Sequence, residues 1–192
     1  MGRNRPASLA NLTLANLTLP VLALGVACGG PPAAAPSGPT SAPTWEMSSA
    51  PRSAALDFRF PPSGDQVVSS ETTRGRATAL LFITTYDIVS QLVVKRLGEV
   101  LVRFTPRANA AAVVLEAPSY AELLPAYRES LALPYPVVIA DFATQQRQGP
   151  FGDIQKVPTL LILDRSGREV WRHQGPLETR EIEAALKRAS AF

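Results

Sequence analysis

Apolar and polar positions along the chain fall into two regimes that meet near residue 56. Beyond it, short apolar runs of strand length alternate with stretches of helical spacing. The run 77–85 (ATALLFITT) is almost continuously apolar, which suits a central strand covered on both faces. Similar runs at 110–116 (AAAVVLE), 136–141 (PVVIAD) and 159–163 (TLLIL) predict three more strands. The last is followed by a tight turn at 164–167 (DRSG) and a returning strand at 169–173. Between strands, Asp87 is suited to cap a helix that carries Ile88, Leu92, Val93 and Leu101 and runs to Phe104. Pro118-Ser119 opens a second helix with Tyr120, Leu123, Leu124 and Tyr127 on related faces, and 176–189 reads as a closing helix with Leu177, Ile182, Ala185 and Leu186 apolar. The polar, Gln-rich 143–155 predicts a loop or short helix with Phe151 and Ile154 turned inward. Ahead of all these, 56–60 alternates, 61–65 (PPSGD) is a turn, and 66–68 returns as a small hairpin. The succession is β-α-β-α-β, then a hairpin and a helix: an α/β fold with a central mixed sheet, helices on both faces and a short N-terminal hairpin extension.

The first regime has a different plan. Arg3 and Arg5 precede 9–27 (LANLTLANLTLPVLALGVA), which is apolar and uncharged, the layout of an export signal. Its length of about 19 residues would also cross a bilayer, but Asn11, Asn16 and Pro20 and the uncharged segment that follows weaken that reading. Segment 24–29 (LGVACG) resembles a bacterial lipobox. Ala27 and Cys28 fit the motif; Gly25 departs from its usual leucine, with Leu24 one place early. The expectation is a signal peptide at 1–27, a lipid on Cys28, a Pro/Ala/Gly/Ser-rich tether at 28–55 and one domain at 56–192. Ordinary cleavage near 33–35 and an uncleaved anchor are the alternatives. The tether holds too few large apolar side chains to offset its ordering entropy, Trp45 and Met47 being the bulky exceptions. The Asn11 and Asn16 sequons lie inside the leader and are not read as glycosylation sites.

Composition then removes several function classes. The chain contains one cysteine, so an intrachain disulfide, a four-sulfur metal site and a two-cysteine redox centre are all excluded. From residue 56 onward, basic and acidic residues nearly balance. Arg59, Arg74, Arg76, Arg103 and Arg107 are dispersed, so no nucleic-acid surface is expected. His173, the one histidine, sits beside Trp171 and reads as a surface or edge residue, and no ligand spacing predicts a metal. Segment 149–152 (GPFG) is a turn and lacks the pattern of a phosphate loop. Asp141 ends a strand and reads as a satisfied structural carboxylate. No cofactor is expected.

The motifs within 55–192 resemble the thioredoxin superfamily, especially its TlpA-like, peroxiredoxin-related exported branch. Ala55-Leu56-Asp57-Phe58 is similar to that family's P-x-F entry strand, and Gly64 with Gly75-Arg76 to its G…G-K pair. Leu81 to Tyr86 stands where the family has N-F-W-A-T-W, and 151–159 (FGDIQKVPT) resembles Y-G-V-x-G-V-P-T. Segment 160–175 resembles the hairpin T-F-L-I-D-x-x-G…G. The resemblance puts the family's C-P-P-C on Asp87-Ile88-Val89-Ser90, with neither cysteine present. The family's chemistry needs a thiolate held by the N-terminal amides of a helix and a second thiol to resolve the mixed disulfide. Asp87 can hold its carboxylate in the same field without redox capacity, and Ser90 has no histidine or lysine near it in sequence to activate it. A helix cap with a first-turn filler is the plain reading, and a repurposed polar pair or a ligand contact the alternatives.

The resemblance also implies a cis bond before Pro158 and a peptide-binding groove formed by Tyr86, Asp87, Ser90, Val157, Pro158 and Thr159, although a tight loop can keep such a proline for shape alone. The leading expectation is a membrane-anchored lipoprotein of the bacterial cell envelope. Its redox-inactive thioredoxin-like domain is expected to face the periplasm or exterior and to serve as a protein- or peptide-binding or scaffold module for an envelope partner, with no catalytic residue. The alternative is an accessory or degenerate member of a thiol–disulfide oxidoreductase or peroxiredoxin-type system. A structural surface lipoprotein without a dedicated ligand is the third reading.

Overall fold

Every residue of β1 (Ala77–Ile83) is buried, and the rest of the computed structural model is arranged around that strand. The structure describes residues 54–191; the leader, Cys28 and nearly all of the tether lie outside the described residues. β1 is flanked on one side by parallel β2 (Ala108–Val114) and then β3 (Val137–Ile139). On its other side lie antiparallel β4 (Thr159–Leu163) and β5 (Glu169–Gln174), giving the order β3-β2-β1-β4-β5. This is the mixed α/β sheet flanked by helices that the apolar runs predict.

The two-residue period of β1 divides the core into two layers. Ala77, Ala79, Leu81 and Ile83 face α2 (Ile88–Phe104) and α5 (Thr179–Ser190) through Val93, Val94, Leu97, Ile182 and Leu186. Leu124, at the start of α3 (Leu124–Ser130), joins the same layer. Leu80 and Phe82 face the opposite way, and there the expectation of helices on both faces is corrected. The cover on that side comes mainly from the N-terminal segment, through Leu56, Phe58, Phe60 and Val68, and from Phe151 and Ile154. Phe151 is the centre of this layer. Its ring centroid lies 5.3 Å from Phe58, 5.6 Å from Phe60 and 5.1 Å from Phe82. Each such aromatic pair adds about 0.5–1.5 kcal/mol beyond its buried area.

Polar ties fasten this second layer to the sheet. Leu56 N donates to Gly167 O at 2.9 Å, and Gly75 N donates to Arg165 O at 2.8 Å, joining both ends of the N-terminal segment to the β4–β5 turn. In that turn Gly167 has φ +83°, and Asp164 accepts from Ser166 N, Ser166 Oγ, Arg168 N and Arg168 Nε. Burial would push the Asp164 carboxyl up, but these bonds outweigh it and hold the group below the ordinary carboxylate range. On β5 the buried Glu169 is gripped by Arg172 in a two-pronged pair at 2.7 and 2.9 Å. Arg172 Nη2 also donates to Phe151 O at 2.6 Å, so this edge strand holds the aromatic layer in place.

Several boundaries move for identifiable reasons. The N-terminal hairpin closes through single bridges, Arg59 with Ser69 and Ser63 with Gln66, because Pro61 and Pro62 have no N–H to donate to a ladder. A short helix, α1 (Ser70–Thr73), follows at once behind a Ser69–Thr72 capping box. The helix expected from Pro118 divides into a 3-10 turn, Pro118–Leu123, and α3. Pro125 cannot donate to the carbonyl four residues back, so the ladder restarts there. Asp141 caps α4 (Phe142–Gln145) by accepting from Thr144 N at 3.1 Å, a satisfied structural carboxylate. Among the described residues, no helix is long and apolar enough to cross a membrane.

Replacing Phe151 with Ala removes the ring shared by three aromatic contacts. The variant is expected to lose about 3–5 kcal/mol of stability in urea unfolding. Amide exchange should accelerate first at Phe60 and Ser70, whose N–H groups bond Val68 O and Phe58 O. Unchanged protection at those two amides would contradict the two-layer account.

Candidate functional site

The carboxyl ends of β1, β2 and β3 all open on one end of the sheet, where ligands of open α/β sheets are received. The chain leaves β1 through Thr84, Thr85 and Tyr86 and enters α2 at Asp87. Thr85 is held from across the sheet: its N–H and its hydroxyl donate to Glu116 Oε1, at 2.5 and 2.7 Å. Gln91 Nε2, from the first turn of α2, donates to Thr85 O at 2.8 Å. The turn is therefore fixed from both sides before Asp87 is reached.

Asp87 caps α2 as its spacing predicts. Its Oδ2 accepts from Ser90 N and Ser90 Oγ, both at 2.7 Å, while Oδ1 accepts a longer bond from Val89 N. The Ser90 hydroxyl bond, together with the two amides, holds the carboxyl below its ordinary range despite some desolvation. Ser90 is fully buried with its hydroxyl directed at that carboxylate. The helix N-terminus, a natural anion site, is thus already occupied by the chain's own carboxylate.

On the neighbouring strand, the Val157–Pro158 bond is cis, as the resemblance implies. Thr159 pairs with Phe82 of β1 and Gln174 of β5, which brings 157–158 to the end of the sheet where Tyr86 and Asp87 stand. Pro158 O accepts from Gly175 N at 2.7 Å, and Thr159 Oγ1 donates to Lys156 O at 2.5 Å. Of the six residues expected to line a groove, Ser90, Pro158 and Thr159 are buried. Tyr86, Asp87 and Val157 present surface.

Pattern reading missed most of what is exposed around them. Tyr86 is 78% exposed, Ile88 80% and Phe142, the first residue of α4, 76%. Val89 and Leu92 are exposed as well. The helical spacing holds a signal for this: Ser90 shares its inward face with Val93, Val94 and Leu97, which turns Ile88 and Leu92 outward. A cleft of about 460 Å³ opens beside Tyr86, lined also by Glu116, Tyr120, Leu123 and Tyr127. Burial first, and then the Glu116 charge, push the Tyr127 hydroxyl up to about 12. His173 lies away from these groups in a stack with Trp171, its Nε2 3.2 Å from Pro176 O. Among the described residues, no three His, Cys, Asp or Glu side chains converge as a metal-binding group.

Because the folded-state pKa of Asp87 is depressed, its contribution to stability is complete above the unfolded value, about 3.9. It is lost as pH falls through the lower folded value. Asp87→Ala is expected to cost about 1 kcal/mol at neutral pH. Asp87→Asn, which caps without titrating, should differ less, and its gap to the wild type should close below about pH 4. Urea unfolding from pH 7 to pH 2 measures both; a gap that widens in acid would refute the assignment.

No family model and no curated protein matches the sequence. Solved structures do resemble the fold. A thiol:disulfide interchange protein of Chlorobium tepidum TLS superposes with a TM-score of 0.61 at 18% identity, over 71% of this chain and 94% of that one. A DsbF homologue from Corynebacterium diphtheriae gives 0.60 at 12% identity, over 70% and 85%. A thiol-disulfide isomerase from Corynebacterium glutamicum gives 0.59 at 12% identity, over 73% and 98%. The chain has a thioredoxin-like fold, and its single cysteine leaves it without the dithiol pair on which disulfide exchange depends.

Proposed function

We propose that this protein is an accessory, redox-inactive member of an exported thiol–disulfide system, acting by binding a partner protein at the end of the sheet where Tyr86 and Ile88 project. The exposure of these two residues, together with that of Phe142, is the observation that carries the reading. Large apolar side chains gathered at one end of a fold are the usual mark of an interaction surface. In this reading Asp87 and Ser90 stand in the places of two thiols, and the surrounding surface still receives an extended polypeptide along Val157–Pro158. The names of the similar structures support the thiol–disulfide context, since they are interchange and isomerase proteins. The leader supports export, and Cys28 would carry the lipid that holds the domain at the envelope membrane. A general binding or scaffold module outside the cytoplasm is the second reading, favoured by the same exposed side chains without the thiol context.

Three measurements test this. Full-length protein should reduce insulin or dithionitrobenzoate no faster than its Cys28→Ser variant; turnover above that control would refute the redox-inactive reading. A photo-crosslinker at position 88 should capture envelope proteins bearing reactive cysteines, and Tyr86→Ala should abolish capture. Adducts with proteins lacking cysteines would favour the general scaffold, and unimpaired capture by the variant would put the surface elsewhere. Palmitate labelling should vanish in Cys28→Ser, and labelling that persists would refute the anchor.

A further inference from the structure

Glu116 does only half of what a buried carboxylate can do. The residue is 8% exposed, and its Oε1 takes both donors of Thr85. Its Oε2 is buried and has no hydrogen-bond partner, and no Lys or Arg among the described residues forms an ion pair with it. A buried acceptor of this kind costs free energy until something charged or hydrogen-bearing meets it. The hydroxyl of Tyr127, also lining the cleft, is likewise buried and unpartnered. Three of the chain's four tyrosines, Tyr86, Tyr120 and Tyr127, line the same cleft as Glu116. The fourth, Tyr135, is committed to the core, donating to Val94 O at 2.6 Å.

A carboxylate oxygen beside several aromatic rings is the chemistry of an organic-cation site. One free oxygen selects further: a guanidinium seeks two parallel acceptors, whereas an ammonium is a point charge on an alkyl stem. We propose that this cleft binds a primary alkylammonium, its nitrogen directed to Glu116 Oε2 and the Tyr127 hydroxyl and its stem packed along Leu123 and the tyrosines. Reaching Oε2 requires the rim to give way. That rim is the 3-10 turn Pro118–Leu123, which has no buried residue and carries the half-exposed Tyr120 and Leu123. The ammonium can come from a lysine side chain or from a free amine; the cleft shares Tyr86 with the partner surface, but its polar anchors, Glu116 and Tyr127, lie outside that surface.

The full-length protein is titrated by NMR with Nα-acetyl-lysine methylamide, with 1,4-diaminobutane and with the uncharged Nα-acetyl-norleucine methylamide. Saturable shifts of the Tyr86, Tyr120 and Tyr127 rings are expected with the charged probes at millimolar concentrations. A preference for the lysine probe identifies a side-chain site, and a preference for the diamine a free-amine site. Glu116→Gln keeps an acceptor for Thr85 but removes the charge, and should weaken binding about tenfold or more. Tyr127→Phe should weaken binding several-fold while leaving the melting temperature equal or higher, since it deletes a polar group that has no partner. The second variant decides the matter if the first fails to fold. Equal binding of the norleucine probe, or undiminished lysine and diamine binding by the folded variants, overturns the proposal.

Discussion

A strand with no exposed residue must be covered on both faces, and β1 is such a strand with long helices on only one of them. That constraint organises the molecule. α2 and α5 satisfy one face, while the other draws in the N-terminal segment and the Phe151–Ile154 stretch. The ties between Leu56 and Gly167, and between Arg172 and Phe151, exist where this second layer meets the sheet. Without a long helix there, the layer depends on aromatic rings and a few well-placed polar bonds. The same burial fixes the sheet register, which brings 157–158 to the end of β1.

What could be read in advance follows from the range of the interactions involved. Strands β1 and β4 are legible because continuous apolar runs have no other comfortable place. The Asp87 cap is legible because its donors lie two and three residues away. The division of the Pro118 helix has a local cause in Pro125, but the apolar period of Tyr120, Leu123, Leu124 and Tyr127 runs across it unbroken. Glu116 could not be read at all. It looks like the end of a strand, and its role depends on Thr85, 31 residues earlier in the chain. The outward direction of Ile88 was present in the helical spacing but needed Ser90 to be accepted as a core residue. The second layer is half legible: the pattern turns Phe151 and Ile154 inward, whereas the short alternating run 56–60 carries no local sign of the layer it joins.

At the carboxyl ends of the parallel strands, backbone shape and side-chain chemistry are separate features. The shape that places a turn, a helix N-terminus and a neighbouring proline loop at one sheet edge is intact. No cysteine stands at this turn, and the Asp87 carboxylate satisfies the helix N-terminus. Tyr86 and Ile88 stand exposed on either side of this satisfied cap, while Ser90 is buried with its hydroxyl donating to Asp87 Oδ2.

Because the second layer is made from the start of the domain, the chain enters the fold at a mechanically significant point. Any tension transmitted from the N-terminal direction is delivered to Leu56 and then to the Phe58, Phe60 and Phe151 rings before it reaches the sheet. Along that route the Leu56–Gly167 bond comes first, then the aromatic layer, and then the β1 ladder. The outer layer therefore stands between the chain's entry and the buried sheet, so a pull on that entry acts on side-chain packing before it acts on a strand ladder.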